Sequence, residues 1–172
     1  GHETAWVLDG GLKAALDAGF ELTASPSTPR PCAHYPANAW LLPTVDLDVI
    51  EKIAKHPQWR VLDVRSRERY QGLAEPLDPV AGHIPGAVNL AYGENLDAEG
   101  RFKSPEELSA LYTQLLDGLR PDHLVVHCGS GITACHTLLA LEHAGLPGAA
   151  LYVGSWSQWC RSGKPIAKGV EL

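Results

Sequence analysis

The sequence has no long apolar run. None approaches the ~18 residues that a membrane-crossing helix needs, so neither a spanning helix nor a membrane partner is expected. Positive charge is also short: 14 Lys and Arg stand against 20 Asp and Glu, for a net charge of −6, and the bases are scattered with no basic stripe. Nucleic acid is therefore not an expected partner. No basic-then-apolar targeting segment opens the chain. Cysteine is sparse, with four in all, and Cys128 and Cys135 lie seven apart across a turn and a helical pattern. That arrangement does not read as a disulfide framework but as a reduced, cytoplasmic protein. Cys128, Cys135 and His136 lack the spacing of a zinc site. Neither a metal nor a cofactor is expected.

What is present is an ordinary globular composition, 45% apolar and 20% charged over 172 residues, enough for one domain with some surplus. Strand-like runs alternate with helical patterns. Trp6 to Leu8 reads as a short strand, and Leu12, Ala15 and Leu16 as a helix closed by Gly19. A proline-rich stretch from Ser25 follows as a stiff linker, with Cys32 and His34 as exposed linker residues. Thr44 reads as the cap of a helix ending near His56-Pro57, and Arg60 to Val64 as a buried parallel strand. Ala87 to Leu90 reads as another strand. Ser104-Pro105-Glu106-Glu107 is a strong helix start, and Leu124 to His127 a third buried strand. Thr133 to Ala144 reads as a helix, Ala149 to Val153 as a last strand, and Gly154 opens a last short helix. The alternation predicts an α/β domain with a mainly parallel sheet, whose ligand site lies outside the carboxyl ends of the strands.

The stretch Leu124-Val125-Val126-His127-Cys128-Gly129-Ser130-Gly131-Ile132-Thr133-Ala134 puts a cysteine at that place. A strand delivers Cys128 to a glycine-rich turn just before a helix. Backbone N–H groups of such a turn, and the positive end of the helix, favour thiolate over thiol. A merely buried core cysteine needs no flexible turn around it. His127 faces away from Cys128 in a strand and reads as a supporting residue. His83 reads as a hydrogen-bonded structural residue, with Asp63 as its candidate partner, and Cys135 as a buried spectator. Cys160 has no evident partner. His127-Cys128 also opens the H-C-x₅-R pattern of cysteine phosphatases, but position 134 is Ala and no arginine occurs from Gly129 to Val153. Phosphoryl chemistry is thereby disfavoured.

Three motifs then carry a resemblance. Cys128-Gly129-Ser130-Gly131-Ile132-Thr133-Ala134 resembles the active loop of the mercaptopyruvate branch of the rhodanese-family sulfurtransferases. Gly82-His83-Ile84-Pro85-Gly86-Ala87 resembles that family's first signature, and Leu151 to Trp159 its last, departing at Val153 and Gln158 where the family usually has acids. With Leu62-Asp63-Val64-Arg65 they cover Thr44 to about Lys164 in the family's order. The resemblance is to the C-terminal catalytic domain of a tandem protein. It implies a rhodanese-like three-layer α/β domain with a five-stranded sheet over residues 44–172, a linker over 25–43, and a remnant of a preceding repeat over 1–24. The similarity between residues 3–12 and 148–156 agrees with a repeat.

The resemblance also implies double displacement through a persulfide on Cys128, with Ser130 donating to the sulfur or a leaving enolate. Gly129, Gly131, Ile132 and Thr133 are expected to cradle the substrate, with about six loop N–H groups around the sulfur. Arg65 and Arg69 match the family's substrate-binding arginines, and bidentate arginine suits a carboxylate; Arg67 is expected to point elsewhere. The implied partners are a small anionic sulfur donor, a small or thioredoxin-like thiol acceptor or cyanide, and an absent N-terminal rhodanese domain. The neutral loop favours mercaptopyruvate over thiosulfate. A weakly active or non-catalytic interaction module is the remaining alternative.

Overall fold

A computed structural model describes residues 5–28 and 39–170. Cys32 and His34 lie outside the described residues. In chain order the regular elements are α1 (Gly11–Asp17), β1 (Thr44–Val45), α2 (Leu47–Ile53), β2 (Arg60–Asp63), α3 (Arg67–Gln71), β3 (Val88–Asn89), α4 (Pro105–Leu116), β4 (Leu124–His127), α5 (Ile132–His143), β5 (Ala150–Tyr152) and α6 (Ser155–Trp159). The five strands form one sheet in the order β1-β5-β4-β2-β3, every adjacent pair parallel. No helix among the described residues is long and apolar enough to cross a membrane.

Alternation along the central strands builds the three layers. Leu62, Leu124 and Val126 pack with Leu108 and Tyr112 of α4 and Ala134 and Leu141 of α5. Val61 and Val125 point the other way, into Ile50 of α2, Tyr70 of α3, and Trp156 and Trp159 of α6. Both faces are covered, as all-parallel sheets require. The same alternation sends Cys128 to the α4/α5 face.

Local chemistry sets the ends. Ser104 Oγ accepts from Glu107 N–H, and the Glu107 carboxylate accepts from Ser104 N–H, with Pro105 at the first helical position. This is the capping box read in the sequence. At α5 the Gly145 N–H bonds to Glu142 O and the Leu146 N–H to Leu141 O, a Schellman closure.

Two expectations are corrected. Thr44 does not cap α2. It pairs with β5 as part of an edge strand, and Asp46 takes the cap, its Oδ1 accepting from Val49 N–H at 3.0 Å. Sheet pairing draws Thr44 out of the cap position. Trp6 to Leu8 form no strand. They are exposed, Trp6 at 85%, and take no part in the sheet. The helix expected after them forms, as α1, and Asp9 Oδ1 accepts from Phe102 N–H at 3.0 Å.

Gly86, in the turn before β3, has φ +91°, and a Cβ there would lie 2.3 Å from the Ala54 carbonyl oxygen at the end of α2. Both the dihedral and the contact demand glycine. Gly86→Ala is expected to cost at least about 2 kcal/mol of folding free energy, read as a lower urea midpoint at unchanged slope.

Candidate active site

The sulfur of Cys128 sits at the carboxyl end of the central strand β4, where the chain turns through Gly129, Ser130 and Gly131 into α5. Gly131 makes the turn possible. Its φ is +86°, and a Cβ would approach Val153 O to 3.1 Å. In that conformation its N–H points back at Cys128 Sγ, 3.1 Å away. Of the amides expected around the sulfur, this is the one that makes the bond among the described residues. The positive end of the twelve-residue α5 adds to it. Cys128 is 2% exposed. Ser130 and Ile132 stand out from the loop, Ile132 at 76% exposure, and Thr133 is half-buried at the second position of α5.

The loop is held from beneath by the segment that opens α6. Trp156 N–H donates to Cys128 O at 3.0 Å, and Ser157 N–H to Gly129 O at 2.9 Å. Cys128 N–H donates to Ser155 Oγ at 3.2 Å, while Ser155 Oγ donates to Tyr152 O at 3.0 Å. Ser155 is fully buried and has φ +51°, a conformation unusual for a residue with a side chain. It fastens the Cys128 peptide to β5. Sequence reading missed this residue, although the Gly154-Ser155-Trp156 motif marked its position.

The two arginines expected to act together are separated. Arg65 is no part of an open clamp. It is 2% exposed, bonded through Nε and Nη2 to Asp63, through Nη1 to Glu75 at 3.1 Å and through Nη2 to Gly82 O at 2.7 Å. Its guanidinium lies 4.6 Å from the Trp156 ring centroid. Two carboxylates and a carbonyl engage Nε, Nη1 and Nη2, and the Trp156 ring covers the guanidinium face, so Arg65 is committed to the protein's own groups. Arg69 does reach the loop. Its Nε and Nη2 hold Glu75, Nη2 is 3.7 Å from Asp78, and Nη2 and Nη1 stand 3.4 and 3.6 Å from where a Gly129 Cβ would sit. The absence of a side chain at 129 leaves the guanidinium edge open beside the sulfur loop. Asp78 is balanced from its other side by Arg161 Nη1 at 2.7 Å and Ser157 Oγ at 3.0 Å.

His127 lies behind Cys128, as strand alternation requires. Its Nδ1 donates to Cys128 O at 3.2 Å, and Nε2 is 3.9 Å from Asp63 Oδ2 with no hydrogen bond among the described residues. Burial pushes its pKa below the ordinary histidine value, the Asp63 charge opposing that shift. His83 does not partner Asp63, whose oxygens Arg65 has taken. Its Nδ1 is 2.8 Å from Tyr70 O, and its ring stacks on Tyr70 at 3.8 Å. Cys135 is exposed rather than buried, because it lies on the outer side of α5 while its neighbour Ala134 turns into the core; its thiol donates to Gly131 O at 3.3 Å. Partial burial, then the neighbouring Cys128, pushes its pKa up. Cys160 is partly buried, its thiol 3.8 Å from Ser157 O. Among the described residues no three His, Cys, Asp or Glu side chains cluster as a metal site.

A cysteine sulfur at the carboxyl ends of a β1-β5-β4-β2-β3 parallel sheet, in the short turn of residues 128–131 between β4 and α5, is the feature that comparison with known proteins places in a class. Residues 46–162 match the rhodanese-like domain model, and the chain belongs to that family. Among curated relatives it is 44% identical over 170 residues to a probable 3-mercaptopyruvate sulfurtransferase of Pseudomonas aeruginosa, covering 98% of this chain and 59% of that protein. It is 38% identical to the thiosulfate sulfurtransferase of Mus musculus, covering 96% of this chain and 56% of that one. The chain thus spans 56–59% of the length of these two curated relatives. The solved Tum1 protein from Saccharomyces cerevisiae superposes with a TM-score of 0.78 at 27% identity, over 94% of this chain and 60% of that one. Wild-type EanB, at 24% identity and a TM-score of 0.81 over 98% of this chain and 42% of that one, shares the fold.

Two outcomes follow from this geometry. Ser155→Ala leaves the buried Cys128 N–H and Tyr152 C=O without that partner, and should cost about 1–3 kcal/mol by urea denaturation. His127 binds a proton less readily folded than unfolded, so the unfolded chain takes up more protons in acid. Stability should therefore fall as pH drops below about 6.5, the ordinary histidine value. His127→Gln should flatten that dependence in a series of urea midpoints.

Proposed function

We propose that this chain carries the catalytic part of a sulfurtransferase that takes sulfur from 3-mercaptopyruvate through a Cys128 persulfide. The observation that carries the reading is the Gly131 N–H at 3.1 Å from Cys128 Sγ in a loop whose neutral Gly129 abuts Arg69. The Cys128 thiolate attacks the donor sulfur. The carbon–sulfur bond breaks, its electron pair passes to the pyruvate enolate, and the enolate takes a proton from solvent. A Cys128–S–SH persulfide remains, its negative charge when ionised met by the Gly131 N–H and the end of α5. An acceptor thiolate, small or thioredoxin-like, or cyanide then attacks the outer sulfur and returns the Cys128 thiolate. Arg69 pairs with the donor carboxylate, and Ser130, exposed at the mouth, donates to the departing enolate. Gly129, Gly131, Ile132 and Thr133 shape the cradle.

Arg65 has a different part in this reading. It holds the wall that Arg69 stands on. A preceding rhodanese repeat completes the pocket, a proposal supported by the exposed apolar residues Trp6, Val7, Leu8, Phe20 and Leu22. The three described cysteines are all free, which favours a reducing, cytoplasmic setting. Thiosulfate is the rival donor, given that the curated relatives carry both names. With thiosulfate the leaving group is sulfite.

Turnover of mercaptopyruvate and of thiosulfate by the chain tests the donor; higher kcat/KM with thiosulfate would overturn the mercaptopyruvate assignment. Cys128→Ser should abolish both activities and the added sulfur seen by mass spectrometry. Arg69→Gln should raise the donor KM by about 10- to 100-fold with a smaller effect on kcat. Arg65→Gln should instead destabilise the fold, by about 3–5 kcal/mol, because Asp63 and Glu75 are left buried without their cation. Equal effects of the two substitutions on KM, at unchanged stability, would contradict this division of roles.

A further inference from the structure

Asp78 stands between two arginines, of which Arg69 reaches the sulfur loop. The Asp78 side chain is 4% exposed. Its Oδ1 accepts from Arg161 Nη1 at 2.7 Å. Its Oδ2 accepts from Ser157 Oγ at 3.0 Å and lies 3.7 Å from Arg69 Nη2, too far for a hydrogen bond. Arg69 gives its hydrogen bonds to Glu75 instead. Among the described residues, Arg161 is thus the cation hydrogen-bonded to Asp78. Arg161 lies just past the end of α6, and its Nη1 also donates to Ser157 O at 2.6 Å. The same Ser157 gives its N–H to Gly129 O. Arg161, Ser157 and the sulfur loop are therefore one connected piece.

The ion pairs form one chain, Asp63–Arg65–Glu75–Arg69–Asp78–Arg161, with three carboxylates against three guanidiniums. Burial holds the neighbouring His127 toward its neutral form, so the chain of charges sums to zero. Arg161 is its outermost member, the side chain half exposed at 52%. An ion pair between two exposed side chains contributes little. Here the carboxylate is buried, and loss of its cation leaves a charge that water does not screen. That charge would appear at the Arg69 end, beside Gly129. Arg69 would then be the nearest cation left to Asp78, and one guanidinium would have to serve Glu75 and Asp78 together.

We propose that Arg161 is a positioning residue: by occupying Asp78 it leaves Arg69 free to hold an anionic group beside the sulfur loop. This rests on the reading that Arg69 pairs with the donor carboxylate. Arg161 acts through Asp78 and not by touching the donor. With Arg161 in place, an anion that arrives at Arg69 meets a wall of zero net charge; without it, the wall carries one negative charge. The residue therefore sets how strongly Cys128 favours anionic over neutral reagents and leaves the chemistry of the sulfur itself alone.

Two readouts on the 172-residue chain test this. One is KM and kcat with mercaptopyruvate. The other is the rate of Cys128 alkylation by anionic iodoacetate against neutral iodoacetamide, followed on the Cys128 peptide by mass spectrometry. Arg161→Gln is expected to raise KM about three- to tenfold with kcat changed less than about twofold, and to lower the iodoacetate-to-iodoacetamide rate ratio by a similar factor. Adding Asp78→Asn to Arg161→Gln removes the unpaired carboxylate and should bring both readouts back to within about twofold of the unsubstituted chain. A side chain that contacted the donor directly would not be rescued in this way. A deficit that persists in the double variant, or a ratio that Arg161→Gln leaves unmoved, would overturn the proposal. Should Arg161→Gln alone not fold, the double variant against Asp78→Asn makes the same comparison: equal ratios support the proposal and unequal ones sink it. No turnover of either donor together with a ratio that falls in Arg161→Gln would defeat the sulfurtransferase reading and leave the role of Arg161 standing. A Cys128 that neither turns over a donor nor alkylates would defeat both.

Discussion

The Arg65 guanidinium, fixed between Asp63 and Glu75, is the interaction on which the rest of the site depends. Asp63 is the last residue of β2, and its carboxylate has no water to face. Arg65 neutralises it and then reaches outward to Glu75 and the Gly82 carbonyl, fixing both ends of the long 72–82 loop. Its flat face lies against Trp156. Trp156 in turn anchors α6, whose first residues grip the peptides of Cys128 and Gly129. A single buried cation thereby connects the end of one strand to the loop that follows another. Desolvating so many charges is costly, and the cost is met by pairing every one of them. The return is a fixed geometry rather than a large net stability.

Cys128 and His127 illustrate how a parallel sheet divides its labour. Neighbouring residues of one strand end on opposite faces. The thiol enters the α4/α5 side, where the helix end and the Gly131 amide serve it. The imidazole enters the α2/α3/α6 side, among Asp63, Arg65 and Tyr152. The charged network therefore supports the Cys128 turn from behind, without a hydrogen bond to the sulfur among the described residues. Arg69 is the one network member that bridges the two settings, because Gly129 leaves it room.

Much of this was legible in the residue order. The Ser104–Glu107 box, the glycine ends of α1 and α5, the buried strands and the placement of Cys128 all rest on local rules that act over a few residues. Thr44 was misread because its role was assigned from its immediate neighbours, whereas β5 claims it. Arg65, given a substrate role through the family resemblance, is held by partners remote in sequence, Glu75, Gly82 and Trp156. His83 followed from the same error, since Asp63 was already taken. Ser155 escaped notice because its task needs a left-handed backbone that no side-chain pattern announces. Trp6 to Leu8 have the composition of a strand and take no part in the sheet, which composition alone does not reveal.

The sheet also ends abruptly on both sides. The outer strands β1 and β3 are two residues long each, while the central β2 and β4 run to four. Each rim therefore offers hardly more than one repeat of unpaired backbone to a passing chain, too little to template a sixth strand. Short margins of this kind limit edge-to-edge growth of the sheet without charges placed to guard them.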